Sequence, residues 1–269
     1  MLLHGLASNA RIWDLTAPLL AQRPSAALRT GFRVLALDQR GHGLSDKPDR
    51  YAFDDVAGDV AALIDRMELD RPLVVGHSWG GNVAVQLAAD YPGHARGIIL
   101  VDGGFLEISS FDGMTWERAE QMMAPPPLDG LKLDAFLKAA RSWPGLGEFW
   151  DEAIQEIVLA NLEITQDQSI RPRLSRANHM KILRAMWEQR PSALWDRLAC
   201  PVLMVPAARD DTDPRNDVWM KGKMSAIELA RQKLSRSEVV WMTDTIHDVP
   251  LQRPKELAAV ITEFAAGLP

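Results

Sequence analysis

The chain's 269 residues carry a formal net charge of −6, with 47% apolar and 25% charged residues and one cysteine. This composition suits an ordinary globular α/β domain with an inserted subdomain, and the charge is too dispersed for a nucleic-acid footprint, which needs a concentrated basic face. A lone Cys200 cannot close an internal disulfide, no run of about 18 apolar residues is present to span a membrane, and the first residues lack a secretion-signal pattern, so the expected location is cytoplasmic.

In chain order, residues 34–37 form the first short apolar run. Val56, Val60, Leu63, Ile64 and Met67 then recur at helical spacing and stop before Pro72. Leu73-Val74-Val75 predicts a second strand, which leads into Gly76-His77-Ser78-Trp79-Gly80; residues 82–89 follow as a helix ending near Tyr91-Pro92-Gly93. Residues 98–101, 202–205 and 239–242 complete the set of predicted strands. Their near-continuous apolarity fits strands covered on both faces, and the βαβα order predicts a doubly wound, mostly parallel sheet.

The rhythm breaks between about residues 104 and 195. No strand is legible there, and Pro125-Pro126-Pro127 interrupts helix-like pieces at 116–123, 133–140, 149–162 and 178–187. The segment 104–195 reads as a helical cap inserted between core segments 1–103 and 196–269. It is rich in Met and Trp, most of which are expected in the cap's own core while a minority face an apolar substrate cleft. Further on, Lys221, Lys223, Arg231, Lys233 and Arg236 read as the solvated side of a helix whose other face holds Met224, Ile227, Leu229 and Leu234.

A G-x-S-x-G pentapeptide between a strand and a helix is the pattern of a nucleophile elbow, in which a sharp turn exposes the serine hydroxyl above a sheet. Side chains two residues either side would clash, which explains Gly76 and Gly80, and Gly81 allows close packing of the helix. Serine needs a base within hydrogen-bond reach and an acid to orient that base. Of the chain's 6 histidines, His247 follows the final apolar strand at the carboxyl edge of the sheet and is the expected base. His4 and His42 are expected in structural roles, and His94 and His179 in polar surface settings.

With these residues in order, the sequence resembles an α/β-hydrolase of the capped serine esterase and epoxide-hydrolase-like branch. Leu2-Leu3-His4-Gly5 resembles the oxyanion loop, and Asp38-Gln39-Arg40-Gly41-His42-Gly43-Leu44-Ser45 the D-x-R-G-x-G-x-S loop; the elbow, the strand ending in Asp102, the strand leading to Asp210 and finally His247 follow. The resemblance implies Asp210 as the triad acid, with Asp102 the principal alternative and Asp211 and Asp213 reachable by a short slip. It also implies an oxyanion hole from the backbone N–H groups of Leu6 and Trp79. Asp38 and Arg40 are expected to brace their loop as an ion pair, and His4, Trp116, Met122, Trp150 and Met186 to contribute to the substrate pocket. The N-terminal hairpin strands of the family are missing from the sequence, which leaves residues 34–37 as a sheet edge; a sequence that starts late is the expected reason, and an oligomer partner that covers the edge is the alternative.

No metal or cofactor is implied: H-E-x-x-H, paired cysteines and phosphate-binding glycine fingerprints are all missing. The implied activity is hydrolysis of a small or medium apolar carboxylic ester or lactone through an acyl-enzyme on Ser78. A C–C bond hydrolase, thioesterase or perhydrolase would use the same triad, and a non-catalytic ligand-binding receptor is the alternative of a different class.

Overall fold

The computed structural model describes residues 1–22, 31–209 and 214–268. Short strands alternate with helices: β1 (Leu2–Leu3), α1 (Ala17–Ala21), β2 (Ala36–Leu37), α2 (Phe53–Arg66), β3 (Leu73–His77), α3 (Trp79–Asp90) and β4 (Gly97–Val101) precede the insertion. After it come β7 (Val202–Val205), β8 (Ala207–Ala208), α9 (Pro214–Lys233), β9 (Ser237–Val239), β10 (Met242–Thr243), α10 (Val249–Gln252) and α11 (Pro254–Gly267). The main sheet runs β2-β1-β3-β4-β7-β9, with every pairing parallel.

The two-residue period of a strand sorts the apolar runs onto two cores. Val74, Ile98, Leu100, Val202 and Met204 pack with Val56, Val60 and Ile64 of α2 and Val83 and Leu87 of α3. Their alternates Val75, Ile99, Val101, Leu203 and Val205 pack with Leu257, Ile261 and Phe264 of α11. Every residue of β3, β4 and β7 is buried, which is why these strands read as unbroken apolar runs.

Two predicted strands are shorter or divided. Among the described residues only Ala36 and Leu37 of 34–37 pair in register, on β1, which is itself two residues long; Leu35 O accepts from Leu2 N at 2.8 Å. The run 239–242 splits between β9, on β7, and β10, on β8. Pro206 separates β7 from β8; it has no N–H to carry the ladder on, yet its carbonyl still accepts from Met242 N at 2.9 Å.

Residues 104–195 contain α4 (Trp116–Met123), α5 (Leu133–Ala140), α6 (Glu152–Leu159), α7 (Arg176–Glu188) and α8 (Pro191–Leu194). They also contain an antiparallel hairpin, β5 (Leu162–Ile164) with β6 (Ile170–Pro172), where no strand was expected. Its turn residue Gln168 has φ 60, and Thr165 Oγ1 accepts from Ser169 N, a turn chemistry that periodicity does not register. Among the described residues no helix is long and apolar enough to cross a membrane.

Candidate active site

Strand β3 ends at His77 and α3 begins at Trp79, so Ser78 alone makes the turn, with φ 53 and ψ −122. A non-glycine residue held there is strained and persists only where the surroundings dictate it. The surroundings are tight: a Cβ on Gly76 would lie 2.2 Å from Gly80 O, and one on Gly80 2.5 Å from Leu3 O. Ser78 N donates to Val101 O at 2.8 Å, locking the turn to β4. Asp102, one residue beyond β4, also has a left-handed backbone, φ 46.

The loop after β1 lies against this turn. A Cβ on Gly5 would come within 3.0 Å of Ser78 Cβ, which sets how closely the loop backbone approaches the hydroxyl. Gln39 N donates to His4 Nε2 at 3.1 Å, so the proton sits on His4 Nδ1, which donates to Gly5 O at 2.7 Å. His42 is held in the same way, accepting from Ala7 N at Nε2 and donating to Arg40 O, and its ring stacks on Trp79 at 5.0 Å. Burial pushes the pKa of His4 down to about 4 and that of His42 well below the ordinary histidine value, so both brace the loop as neutral rings. Asp38 and Arg40 do not pair with each other. Asp38 accepts from Ala10 N and Leu44 N, while Arg40 grips Asp59 (Nη2 to Oδ1, 2.7 Å), because the carboxylate of Asp38 is turned inward under the loop.

His247 lies between β10 and α10. Its Nδ1 donates to Asp102 Oδ2 at 2.6 Å, and Asp102 is almost completely buried. Ala207 N donates to the other oxygen, Oδ1, at 2.9 Å, and Lys223 Nζ lies 2.7 Å from Oδ1. Burial favours the neutral acid, but the hydrogen bond and charge of His247 and the charge of Lys223 outweigh it and hold Asp102 at about 2. In the same balance burial opposes protonation of His247, and the hydrogen bond and charge of Asp102 carry its pKa above the ordinary value. Ser78 Oγ makes no hydrogen bond to His247 in this structure, although both line one cavity of about 760 Å³.

Asp210, Asp211 and Asp213 lie outside the described residues; the carboxylate found on His247 is that of Asp102. Lys223, expected on a solvated face, is buried instead. The inward face of α9 is Lys223, Ile227 and Ala230, with Leu234 buried just beyond its end, while Met224 is 62% exposed and Leu229 39% exposed. His77 donates from Nε2 to the carbonyl of His247 at 2.8 Å, and its Nδ1 is buried without a partner. Burial lowers its pKa to about 4. His179 is buried on α7 and bonds Met123 O, so its setting is not a surface one.

Of the residues expected along the pocket, Met186 lines the cavity, together with Leu106, Ile108, Met123, Trp219, Met220 and Ile246. The other expected residues are elsewhere. His4 braces the first loop; Trp116 packs edge-on to Trp187 beneath the guanidinium of Arg184; Trp150 packs on Trp143; and Met123, one position on, takes the place expected of Met122. Helical register decides which of two adjacent methionines faces the cleft. Among the described residues no group of three or more His, Cys, Asp or Glu could hold a metal ion.

Residues 1–260 match the sequence profile of the alpha/beta hydrolase family. The chain is 36% identical to a 2-(acetamidomethylene)succinate hydrolase of Mesorhizobium japonicum over 113 residues, 41% of this chain and 38% of that one. The match thus spans well under half the length of that relative. A crystal structure of E-2-(acetamidomethylene)succinate hydrolase superposes with a TM-score of 0.72 at 25% identity, covering 98% of this chain and 90% of that one. An enol-lactonase from Burkholderia xenovorans LB400 shares the fold, with a TM-score of 0.68 at 18% identity over 98% of this chain and 89% of that one.

Proposed function

Since this chain belongs to the alpha/beta hydrolase family, we propose that it is a serine hydrolase that cleaves a small or medium apolar carboxylic ester or lactone through an acyl-enzyme on Ser78. One observation carries the reading: the strained Ser78 faces the same cavity as His247, whose Nδ1 is engaged by a buried carboxylate. With Nδ1 donating to Asp102, the lone pair that can accept a proton is on Nε2, at the other side of the ring.

Ser78 Oγ attacks the substrate carbonyl as His247 Nε2 takes its proton, and Asp102 stays ionised and stabilises the imidazolium. The tetrahedral oxyanion is received by the N–H groups of Leu6 and Trp79, one from the braced first loop and one from the start of α3, where the helix dipole also favours negative charge. The imidazolium returns the proton to the leaving alkoxide, the C–O bond breaks, and the acyl group remains on Ser78. Water deprotonated by His247 then releases the acid. The Ser78–His247 hydrogen bond is of the kind that tightens once substrate fills the site.

The segment 104–195 acts as the cap. Leu106, Ile108, Met123 and Met186 supply an apolar wall opposite the elbow, which favours an apolar acyl or alcohol group. A lactone is opened by the same steps, with the alcohol left tethered to the acyl group.

A fluorophosphonate probe tests the proposal. The wild-type chain is expected to be labelled on Ser78 and Ser78→Ala is expected to remain unlabelled. Failure of both to label would favour a ligand-binding, non-catalytic member of the fold.

A further inference from the structure

We propose that Lys223 is a positioning residue of this active site, clamping the Asp102 carboxylate from the side away from His247 and tempering the basicity of that histidine. The proposal rests on the reading of Asp102 as the triad acid.

The two oxygens of Asp102 are divided between two sets of partners. Oδ2 receives His247 Nδ1 at 2.6 Å, and Oδ1 receives Ala207 N at 2.9 Å and faces Lys223 Nζ at 2.7 Å. Lys223 also donates to Ala207 O at 2.8 Å, so ammonium, carboxylate and the backbone N–H and C=O of Ala207 close a ring. A carboxylate held at one oxygen by two donors cannot rotate about its Cβ–Cγ bond, and its second oxygen stays aimed at the imidazole.

Lys223 is only 9% exposed, and a lysine is rarely buried unless its charge is matched. A neutral donor would anchor Oδ1 as well, so the charge calls for its own explanation. His247 is faced by the negative charges of Asp102 and Asp248, by the positive charge of Lys223 and by the neutral ring of His77, 4.9 Å away. Without Lys223 the resting acid–base pair would carry a net negative charge and hold a proton on His247 more tightly. With it the pair is neutral overall, and His247 is free to act as base at lower pH.

The test is the pH dependence of kcat and kcat/KM for the full-length chain on a short-chain aryl ester. Lys223→Met is expected to move the acid limb of kcat/KM upward by about 1 pH unit, the size of effect a neighbouring charge has on an ionisable group. Its plateau kcat is expected to fall roughly tenfold, or about 1.4 kcal/mol of barrier, with little change in KM. Lys223→Arg keeps the charge and is expected to restore the midpoint. Lys223→Gln, which keeps a donor without the charge, is expected to recover plateau kcat but not the midpoint, and it stands in should the Met variant fail to fold. An unmoved acid limb in a folded Met or Gln variant overturns the proposal, as does a raised KM with unchanged kcat and midpoint, which would make Lys223 a substrate contact. Full activity of Asp102→Asn would instead remove the reading of Asp102 on which the proposal depends.

Discussion

Ser78 and Asp102 are both single residues with left-handed backbones at the carboxyl ends of neighbouring strands, φ 53 and φ 46. Such strain is tolerated where the surrounding structure over-determines it, and here it aims one hydroxyl and one carboxylate at the same cavity. The sharp turn at Ser78 was legible from its pentapeptide, and the sheet-edge setting of His247 from its place after the last strand. The carboxylate that bonds His247 was not legible, since Asp102 and Asp210 both follow apolar strands in the sequence and only the fold brings Asp102 to the imidazole. On a short-chain aryl ester, Asp102→Asn is expected to lower kcat by about 10⁴-fold, the cost of losing the correct imidazole tautomer in a serine triad, while Asp210→Asn stays close to wild type. A collapse confined to Asp210→Asn would show that the acid has been misassigned.

At the scale of elements, the insertion is tied to the elbow helix by a buried amide network. Asn82 Nδ2 on α3 donates to Gln189 Oε1 at 2.8 Å, Gln189 Nε2 donates to Gln86 Oε1 at 3.1 Å, and Gly104 N donates to Asn82 Oδ1 at 3.3 Å. Both stems of the insertion, at 104 and 189, therefore converge on one side chain that itself lines the cavity. Truncation leaves buried amide groups unpaired, a loss of about 1–3 kcal/mol. Asn82→Ala is expected to lower Tm and to raise KM more than it lowers kcat, because the insertion loosens while the His247–Asp102 hydrogen bond stays in place. Thermal melts and steady-state kinetics check this; an unchanged KM would show that the network does not set the pocket. The piece expected at 149–162 is α-helical only over α6, with its last residue in β5, and α8 was not expected; α4 and α5 followed from their apolar spacing and fall at the expected residues. The hairpin β5–β6 did not, because three-residue strands are too short for a period to show.

For the whole molecule, the polar interior sets the response to acid. His4 and His77 are buried with pKa values lowered to about 4, and burial also holds His42 well below the ordinary histidine value. A histidine whose folded pKa is depressed contributes stability above its unfolded value near 6.5 and loses it as pH falls toward the folded value. His247 is shifted the other way, and its contribution is lost as pH rises. Burial lowers His179 as well, so four depressed rings outweigh one raised ring, and stability is expected to fall between about pH 6.5 and pH 4, by up to about 1.4 kcal/mol per pH unit for each ring. Asp102, held at about 2, adds a further loss between about pH 4 and pH 2. Urea midpoints measured from pH 7.5 to 4.5 check the first window, and a flat profile would mean that these rings are not buried neutral in solution.

Period and punctuation alone determined the parallel sheet and the strand–turn–helix at Ser78, because each is a local consequence of backbone geometry and of which residues avoid water. Tertiary structure decided which carboxylate meets His247, which of Met122 and Met123 enters the cleft, and that Lys223 faces inward. Those outcomes depend on strands and helices far apart in the chain being brought within hydrogen-bond distance. A burial preference of a few kcal/mol, read residue by residue, cannot anticipate a partner that only folding supplies.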